Sequence, residues 1–233
     1  MTKRICAVVG VGPRNGAAFA RRFASAGYAV ALLARGSTFT RELAANLEEA
    51  RAYECDVTDA AAIERAFQSI REDLGEVEVL IYNAGSGTWG TVEEVSDSDF
   101  EAAWRINAMG TLLASRQVIP AMKRAGRGSI VIVGATASLR GGAKFAAFAS
   151  AKAAQRSLAQ GMARHLWPSG IHVALLIIDG AVDLPRTREM MPDKPDSFFL
   201  KPDDIAETVF QLTKQNPSAW SFEFEARPFG ERW

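Results

Sequence analysis

The chain has 233 residues, a length that suits one domain with a sizeable hydrophobic core. Its 27 basic and 27 acidic residues give a formal net charge of zero, which argues against nucleic acid or an anionic membrane surface as partner. No apolar run approaches the roughly 18 residues that a membrane-spanning helix needs, and the apolar run at residues 5–9 is too short for the core of a signal peptide.

The cysteines and histidines indicate no metal chemistry. Cys6 and Cys55 stand in apolar runs typical of strands, so we expect reduced, buried thiols and a cytoplasmic location. His165 and His172 are interpreted as structural residues at a helix end and at a strand start. None of these residues has the spacing of a metal site, so no metal is predicted.

Apolar runs typical of strands alternate with amphipathic runs typical of helices along the whole chain. Strands are predicted at residues 5–9, 28–34, 77–82, 129–133, 171–178 and 219–226. Helices are predicted at residues 17–26, 59–74, 97–124 and 153–166. Ser96 is expected to cap the third helix and Pro120 to kink or end it.

This alternation predicts an α/β fold over residues 1–233: a single domain with a doubly wound parallel β-sheet and helices on both faces. In such sheets ligands bind at the carboxyl ends of the strands. We therefore expect the functional residues just after the predicted strands.

A glycine-rich turn, residues 10–16, separates the first strand from the first helix. Gly10, Gly12 and Gly16 allow the backbone to approach a pyrophosphate, which the helix N-terminus attracts. The glycine spacing is irregular because Arg14 and Asn15 stand at positions where glycine is common in such turns. The alternative is a tight turn without a ligand.

Two further motifs follow in order. Asp56 and Val57 come after a short predicted strand, and residues 83–85, Asn83, Ala84 and Gly85, come after another. Together with the glycine turn they resemble the short-chain dehydrogenase/reductase family, over about residues 5–180 and only weakly beyond. The resemblance implies a Rossmann-type fold, with Asp56 and Val57 near the adenine and the 83–85 turn beneath a nicotinamide cofactor.

NADP(H) is favoured over NAD(H). An acidic side chain after the second strand would bind the ribose 2′-hydroxyl, but Arg35 stands there. Its guanidinium suits a 2′-phosphate, and Arg14 in the glycine turn is a second candidate. The alternative is that both arginines are solvated surface charges.

The resemblance also implies four active-site positions. Asn107 and Lys152 match the family's Asn and Lys. Phe148 stands at the position of the catalytic Tyr, and Ala135 at that of the Ser, with Thr136 as the nearest hydroxyl. A phenyl ring cannot transfer a proton, so two of the four roles are unfilled.

The expected function is that of an NAD(P)-dependent oxidoreductase acting on a small organic carbonyl or an activated double bond with a non-standard proton donor. Lys152 is expected to donate directly or through a water. In the alternative, Phe148 only packs, and the chain is a catalytically impaired NADP(H)-binding protein that acts as a sensor or subunit partner. A third hypothesis is that Arg14 blocks the cofactor.

The last part of the chain carries further expectations. Gly180 and Val182 match positions at the nicotinamide end, where Asp179 is a candidate acid/base group and Asp183 is unusual. Residues 184–200 suit a mobile substrate lid. The apolar C-terminus, ending at Trp233, suggests a homo-dimer or homo-tetramer interface, or a tail folded on its own subunit.

Overall fold

The structure is a computed structural model that describes residues 3–85 and 88–230. The strands are β1 (Ile5–Val9), β2 (Ala29–Ala34), β3 (Ala50–Glu54), β4 (Val79–Tyr82), β5 (Gly128–Ala135), β6 (Ile171–Ile178), β7 (Ala181–Val182), β8 (Phe199–Leu200) and β9 (Glu223–Ala226). The helices are α1 (Asn15–Ser25), α2 (Thr38–Ala45), α3 (Ala60–Asp73), α4 (Asp97–Trp104), α5 (Gly110–Ala125), α6 (Ala146–Leu166), α7 (Pro185–Met190) and α8 (Pro202–Leu212).

Seven strands form one parallel sheet in the order β3-β2-β1-β4-β5-β6-β9. The chain winds outward from β1 through β2 and β3, then returns to β4 on the other side of β1. This reversal opens a crevice at the carboxyl ends of β1 and β4. The single-domain, doubly wound Rossmann-type fold that the sequence predicts is confirmed.

The sheet is buried on both faces. One face packs against α3, α5 and α6 through side chains such as Phe67, Met122 and Leu166. The other packs against α1, α2 and α8 through Phe23 and Val209, among others. Because the strands contact apolar helix faces on both sides, they are continuous apolar runs, which is why most of them could be predicted from the sequence.

The prediction of one long helix over residues 97–124 is wrong in the interior of that range. The range is divided into α4 and α5 by a π-helical turn at Arg105–Met109. Ser96 caps α4 as expected, since its hydroxyl accepts a hydrogen bond from the Asp99 amide at 3.1 Å. Pro120 does not end α5, which continues to Ala125, because buried residues on both sides, such as Val118 and Met122, pack the helix against the sheet.

Several elements were not predicted. Only Thr40 is buried in α2, so its apolar periodicity is weak. The short strand expected before Asp56, for which no bounds were predicted, is β3; it lies at the sheet edge, has polar residues in its sequence, ARAYE, and ends at Glu54. Helix α8 does have an apolar face, formed by Ile205, Val209 and Leu212 among others, and this signal was missed. The last strand begins at Glu223 rather than at residue 219 because residues 217–219 form a 3-10 turn.

Both cysteines are buried free thiols. Across residues 3–85 and 88–230, no helix has both the length and the apolar character required to cross a bilayer. The same described residues contain no group of three or more His, Cys, Asp or Glu that could hold a metal ion. The expectation for Trp233 concerns a residue that lies outside the described part of the chain.

Candidate functional site

A cavity of about 460 Å³ lies at the crevice where the strand order reverses. The carboxyl ends of four strands, β1 to β4, lead into it. Eight residues singled out from the sequence line it: Gly10, Gly12, Arg35, Asp56, Val57, Asn83, Ala84 and Gly85. The fold thus brings together motifs that are up to 75 positions apart in the chain.

The glycine turn packs closely against the turn after β4. Gly10 has a φ of +87°, and a Cβ placed on it would lie 2.4 Å from the Ala84 nitrogen. A Cβ on Gly16 would lie 2.6 Å from the Val11 Cα. The Asn83 side-chain amide donates to the Gly10 carbonyl at 2.7 Å. A side chain at Gly10 or Gly16 would therefore displace the backbone beside the cavity.

The N-terminus of α1 follows this turn without a side-chain cap. The side-chain oxygen of Asn15 is buried there and has no hydrogen-bond partner among the described residues. Uncapped backbone N–H groups and a buried unpaired oxygen fit a polar ligand at this helix end. Arg14 is exposed and does not line the cavity, so its side chain does not close it.

Arg35 and Asp56 lie on the β2–β3 side of the cavity. Asp56 accepts hydrogen bonds from the Thr58 amide at 2.9 Å and the Thr58 hydroxyl at 2.7 Å. These bonds lower the pKa of Asp56, and the positive charge of Arg35 lowers it further. The exposed guanidinium of Arg35 is thus the cationic group on this side of the cavity.

Asn107 lies in the π-helical turn and is fully buried. Its amide nitrogen donates to the Ala103 carbonyl at 2.8 Å, whereas its side-chain oxygen has no partner among the described residues. A hydrogen bond of 2.5 Å from the Tyr82 hydroxyl to the Ile106 carbonyl anchors the turn to the sheet. Tyr82 is completely buried, and burial raises its pKa, so it is a structural donor.

The Lys152 side chain extends from α6 toward Gly85, which also lies beside the Asn107 side chain. Its ammonium donates to the Val133 carbonyl and to the Gln155 side-chain oxygen, both at 2.9 Å. Burial lowers its pKa from 10.5 to about 7. A Cβ on Gly85 would lie 3.7 Å from the Lys152 nitrogen and 3.5 Å from the free oxygen of Asn107, so both atoms reach the edge of the cavity.

Phe148 precedes Lys152 by one helical turn, and the lysine nitrogen lies 6.0 Å from the centre of its ring. Ala135 ends β5, and Thr136 opens a short 3-10 turn. The Thr136 hydroxyl donates to an Asp179 carboxylate oxygen at 2.5 Å and also contacts the Ile178 carbonyl at 3.2 Å. Since its hydrogen is committed to Asp179, Thr136 presents lone pairs rather than a donor to the site.

The residues after β6 do not line the cavity. Asp179 is buried and ion-paired with Arg227. Asp183 pairs with Arg188 and with Lys201, each at 2.8 Å, and these hydrogen bonds hold its pKa far below the usual range. Gly180 has a φ of +140°, and Val182 lies in the small β7–β8 sheet. Asp179 and Asp183 therefore stabilise the segment around residues 179–201 through ion pairs.

A cluster of two aromatic rings and a guanidinium, those of Trp89, Phe145 and Arg186, lies beside the N-terminus of α6. The Trp89 and Phe145 rings meet edge-on at 5.5 Å, and the Arg186 guanidinium lies 5.1 Å from the centre of the Trp89 ring. Backbone hydrogen bonds from Gly90 to Lys144 and from Ala146 to Gly90 join the two loops that carry the rings. The cluster links the segment 184–200 to the loops beside Phe148.

The comparisons with known proteins agree with this geometry. The family model for short chain dehydrogenase matches residues 4–194. The chain belongs to the short-chain dehydrogenase family. The 3-oxoacyl-acyl-carrier-protein reductase MabA of Mycobacterium tuberculosis is 30% identical over 175 residues, which are 75% of this chain and 68% of MabA.

Two solved structures show the same architecture over nearly the whole chain. The short-chain dehydrogenase from Rhodopseudomonas palustris is 33% identical, with a TM-score of 0.84, and the match covers 97% of this chain and 99% of that one. The alcohol dehydrogenase from Thermococcus sibiricus, complexed with 5-hydroxy-NADP, is 28% identical, with a TM-score of 0.89 and coverage of 99% and 98%.

Some residues of the candidate site were not singled out from the sequence. Phe39, Thr58 and Ile106 line the cavity, and Gln155 contacts Lys152 inside the protein. Gln155 did carry a signal, because it is a polar residue three positions after Lys152 on a helix rich in alanine. Phe39, Thr58 and Ile106 carried no such signal, since residues from separate elements meet at the cavity only through the fold.

Lys152→Met should reduce the pH dependence of stability. The folded pKa of about 7 lies below the ordinary 10.5, so between these pH values the unfolded chain binds one more proton than the folded one. This group makes the free energy of unfolding rise with pH in that window, by up to about 1.4 kcal/mol per pH unit. Urea titrations between about pH 7 and about pH 10 should show a smaller rise in the variant.

The control is Lys144→Met, the same change at an exposed lysine of the same region, which should leave the parent's slope unchanged. Equal slopes in the parent and in Lys152→Met would contradict the burial of an amine with a lowered pKa.

Proposed function

We propose that the protein is an NADP(H)-dependent oxidoreductase that reduces a small organic carbonyl or an activated double bond, with Lys152 as its proton donor. The observation that carries the proposal is a buried amine at the edge of the cavity with a pKa of about 7. An acid of that pKa transfers protons effectively near neutral pH.

The cavity fits a dinucleotide. Glycines stand where a side chain would collide with backbone, and the N-terminus of α1 is uncapped. The buried, unpaired oxygens of Asn15 and Asn107 are hydrogen-bond acceptors without donors among the described residues. Asp56, Val57 and the 83–85 turn would hold the adenine half and the middle of the cofactor.

Arg35 favours NADP(H) because its guanidinium can bind a phosphate on the ribose with two parallel hydrogen bonds. Two similar structures contain related ligands: 5-hydroxy-NADP in the Thermococcus sibiricus enzyme, and NADP in a metagenomic short-chain oxidoreductase that is 28% identical. Gly180 and Val182 would lie near the nicotinamide end.

When bound, the cofactor supplies a hydride; the residues of the chain supply orientation and a proton. The Val133 carbonyl and the Gln155 side-chain oxygen hold the Lys152 ammonium, and the side-chain oxygen of Asn107 lies beside Gly85. The Phe148 ring adds an apolar surface beside the lysine, with its centre 6.0 Å from the nitrogen. The Lys152 nitrogen is then the group that releases a proton to the reduced substrate.

The substrate class follows from what the site lacks. We infer that Phe148 and Ala135 occupy the Tyr and Ser positions of the family, so neither supplies an oxygen to a substrate carbonyl. Thr136 does not replace the serine because its hydrogen is bound to Asp179. Electron-poor C=C bonds, iminium ions and quinones need less help from a positioned acid than ketones do.

A second candidate function is that of an NADP(H)-binding protein with little turnover, acting as a sensor or subunit partner. The absence of oxygen atoms on the Phe148 and Ala135 side chains favours it, since these side chains contribute neither an acid nor an oxyanion donor. Binding without hydride transfer would distinguish it from the enzyme.

Arg35→Ala should weaken NADPH binding by about tenfold to a hundredfold and leave NADH binding within about threefold, because charge-assisted hydrogen bonds to a phosphate are worth about 1.5–3 kcal/mol. Isothermal titration of both cofactors measures this. Arg41→Ala removes the same charge from α2, at an exposed residue that does not line the cavity, and should change neither affinity. Equal losses for NADPH and NADH in Arg35→Ala would refute the preference.

Phe148→Tyr combined with Ala135→Ser should raise ketone reduction by about 10²–10⁴, since a positioned acid contributes that factor. The parent should oxidise NADPH with at least one quinone, iminium ion or α,β-unsaturated carbonyl. The matched control places the same two changes nearby, as Phe145→Tyr and Ala137→Ser. A parent that binds NADPH but reduces no compound supports the second function. If the double variant reduces ketones no faster than the parent, the inference that Phe148 and Ala135 occupy the Tyr and Ser positions of the family is wrong.

We also propose that residues 184–200 are a substrate lid, held closed in part by Arg186 on Trp89. Arg186→Ala should raise the substrate KM about two- to fivefold and speed chymotrypsin cleavage within the lid, since an exposed cation–π contact is worth about 0.5–1 kcal/mol. NADPH affinity should not change. Arg186→Lys keeps a cation and should retain most of the protection against chymotrypsin. Equal cleavage rates in the parent and in both variants would show that the contact between Arg186 and Trp89 does not hold the lid closed.

Homo-oligomer formation and a cytoplasmic location stay predictions from the sequence. A reducing compartment agrees with the two buried free thiols, Cys6 and Cys55.

A further inference from the structure

Gln155 is a fully buried amide on α6 whose polar atoms are all engaged. Its oxygen accepts a hydrogen bond from the Lys152 ammonium at 2.9 Å. Its nitrogen donates to the Asn107 carbonyl and to the Thr111 hydroxyl, both at 2.9 Å. The Thr111 hydroxyl in turn donates to the same Asn107 carbonyl at 2.6 Å.

These bonds fix which way the amide points. The amide nitrogen donates to the Asn107 carbonyl in the π-helical turn and to the Thr111 hydroxyl at the start of α5, so the amide oxygen is left for Lys152. The turn is itself anchored to the sheet by Tyr82. Gln155 therefore connects a rigid part of the fold to the lysine.

The lysine nitrogen has three hydrogens, and two are taken by the oxygens of Val133 and Gln155. Both acceptors are neutral. The third hydrogen is left for the space beside Gly85, because a Cβ on that glycine would lie 3.7 Å from the nitrogen. That space belongs to the edge of the cavity.

Charged groups on the surrounding elements are engaged elsewhere. Glu101 pairs with Arg105 and Asp179 pairs with Arg227, while the titratable but neutral Tyr82 hydroxyl donates to the Ile106 carbonyl. Within residues 3–85 and 88–230, no carboxylate is ion-paired to the Lys152 nitrogen. The side-chain oxygen of Gln155 is thus the polar side-chain contact that a single substitution can change at this amine.

We propose that Gln155 is a positioning residue that aims the Lys152 amine at the reacting substrate and sets how readily that amine gives up its proton. The inference rests on the proposed function of Lys152 as donor. In the step, one N–H bond of the ammonium breaks, its electron pair stays on nitrogen, and the proton bonds to the substrate oxygen or carbon. The electrons that reduce the substrate arrive as hydride from NADPH, and solvent later reprotonates the neutral amine.

Two substitutions of similar size should move the Lys152 titration in opposite directions. Gln155→Glu places a carboxylate beside the ammonium, which favours the charged form and should raise the titration midpoint by at least about one pH unit. Gln155→Met removes the acceptor and should lower the midpoint. Proton–nitrogen NMR of protein labelled at the lysine side-chain nitrogens measures it, with the signal assigned by its loss in Lys152→Met.

The control is Gln160→Met, the same change on the same helix at a half-buried residue, which should leave the midpoint at the parent's value. Thr111→Val is the second variant, for use if the Gln155 variants do not fold. It removes one anchor of the amide and should shift the midpoint in the direction of Gln155→Met, by a smaller amount.

The pH profile of kcat separates positioning from a merely structural role. The pH above which reduction is lost should rise in Gln155→Glu and fall in Gln155→Met, along with the NMR midpoint. A structural role would lower the melting temperature and kcat at every pH without moving either midpoint.

The two proposals fail differently. Absence of turnover in the parent would overturn the proposed reduction, while the NMR titration would still show whether Gln155 controls the amine. The same Lys152 midpoint in the parent and in both Gln155 variants would overturn this inference even in an active enzyme.

Discussion

The pairing of β1 with β4 is the constraint on which the rest of the site depends. These strands are adjacent in the sheet although 69 residues separate the end of one from the start of the other, and Val9 aligns with Tyr82. Because both strands end at the same level, the glycine turn and the 83–85 turn emerge side by side. Only glycine fits at position 10, where any Cβ would meet the backbone of Ala84.

The same pairing explains the buried network around Lys152. Tyr82, the last residue of β4, anchors the π-helical turn through the Ile106 carbonyl. That turn presents the Asn107 carbonyl to Gln155, which contacts Lys152. A chain of neutral hydrogen bonds thus connects the sheet to an amine that burial keeps easy to deprotonate. Removal from water, rather than a neighbouring charge, is what tunes the lysine.

The site holds a buried amine, and the Tyr82 phenol is committed to the Ile106 carbonyl. Lys152 releases its proton near neutral pH, and the ring of Phe148 beside it neither donates nor accepts one. The acids farther along the chain are engaged in ion pairs that stabilise the segment around residues 179–201. The proposed proton chemistry therefore depends on one nitrogen and on the groups that hold it in place.

The sequence predicted the fold class and much of the site because local patterns carried both. Continuous apolar runs identified most strands, and the residues that follow β1, β2, β3 and β4 supplied eight members of the cavity lining. The prediction was wrong at the long helix, because a π-helical turn inserts no visible signal into an amphipathic pattern. It missed α2 and gave no bounds for the short strand before Asp56, which is β3, because exposed residues weaken the apolar periodicity of both elements.

By itself, the sequence determined which chemical groups are present: Lys152, Asn107, Arg35 and the glycines, and a phenyl ring at position 148. Only the tertiary structure decided what those groups do. Burial gives Lys152 its lowered pKa, Asp179 takes the hydrogen of Thr136, and Asn107 and Thr111 turn the oxygen of Gln155 toward the lysine. The reason is physical: proton affinity and hydrogen bonding depend on solvent access and on neighbours from distant segments, which no local pattern encodes.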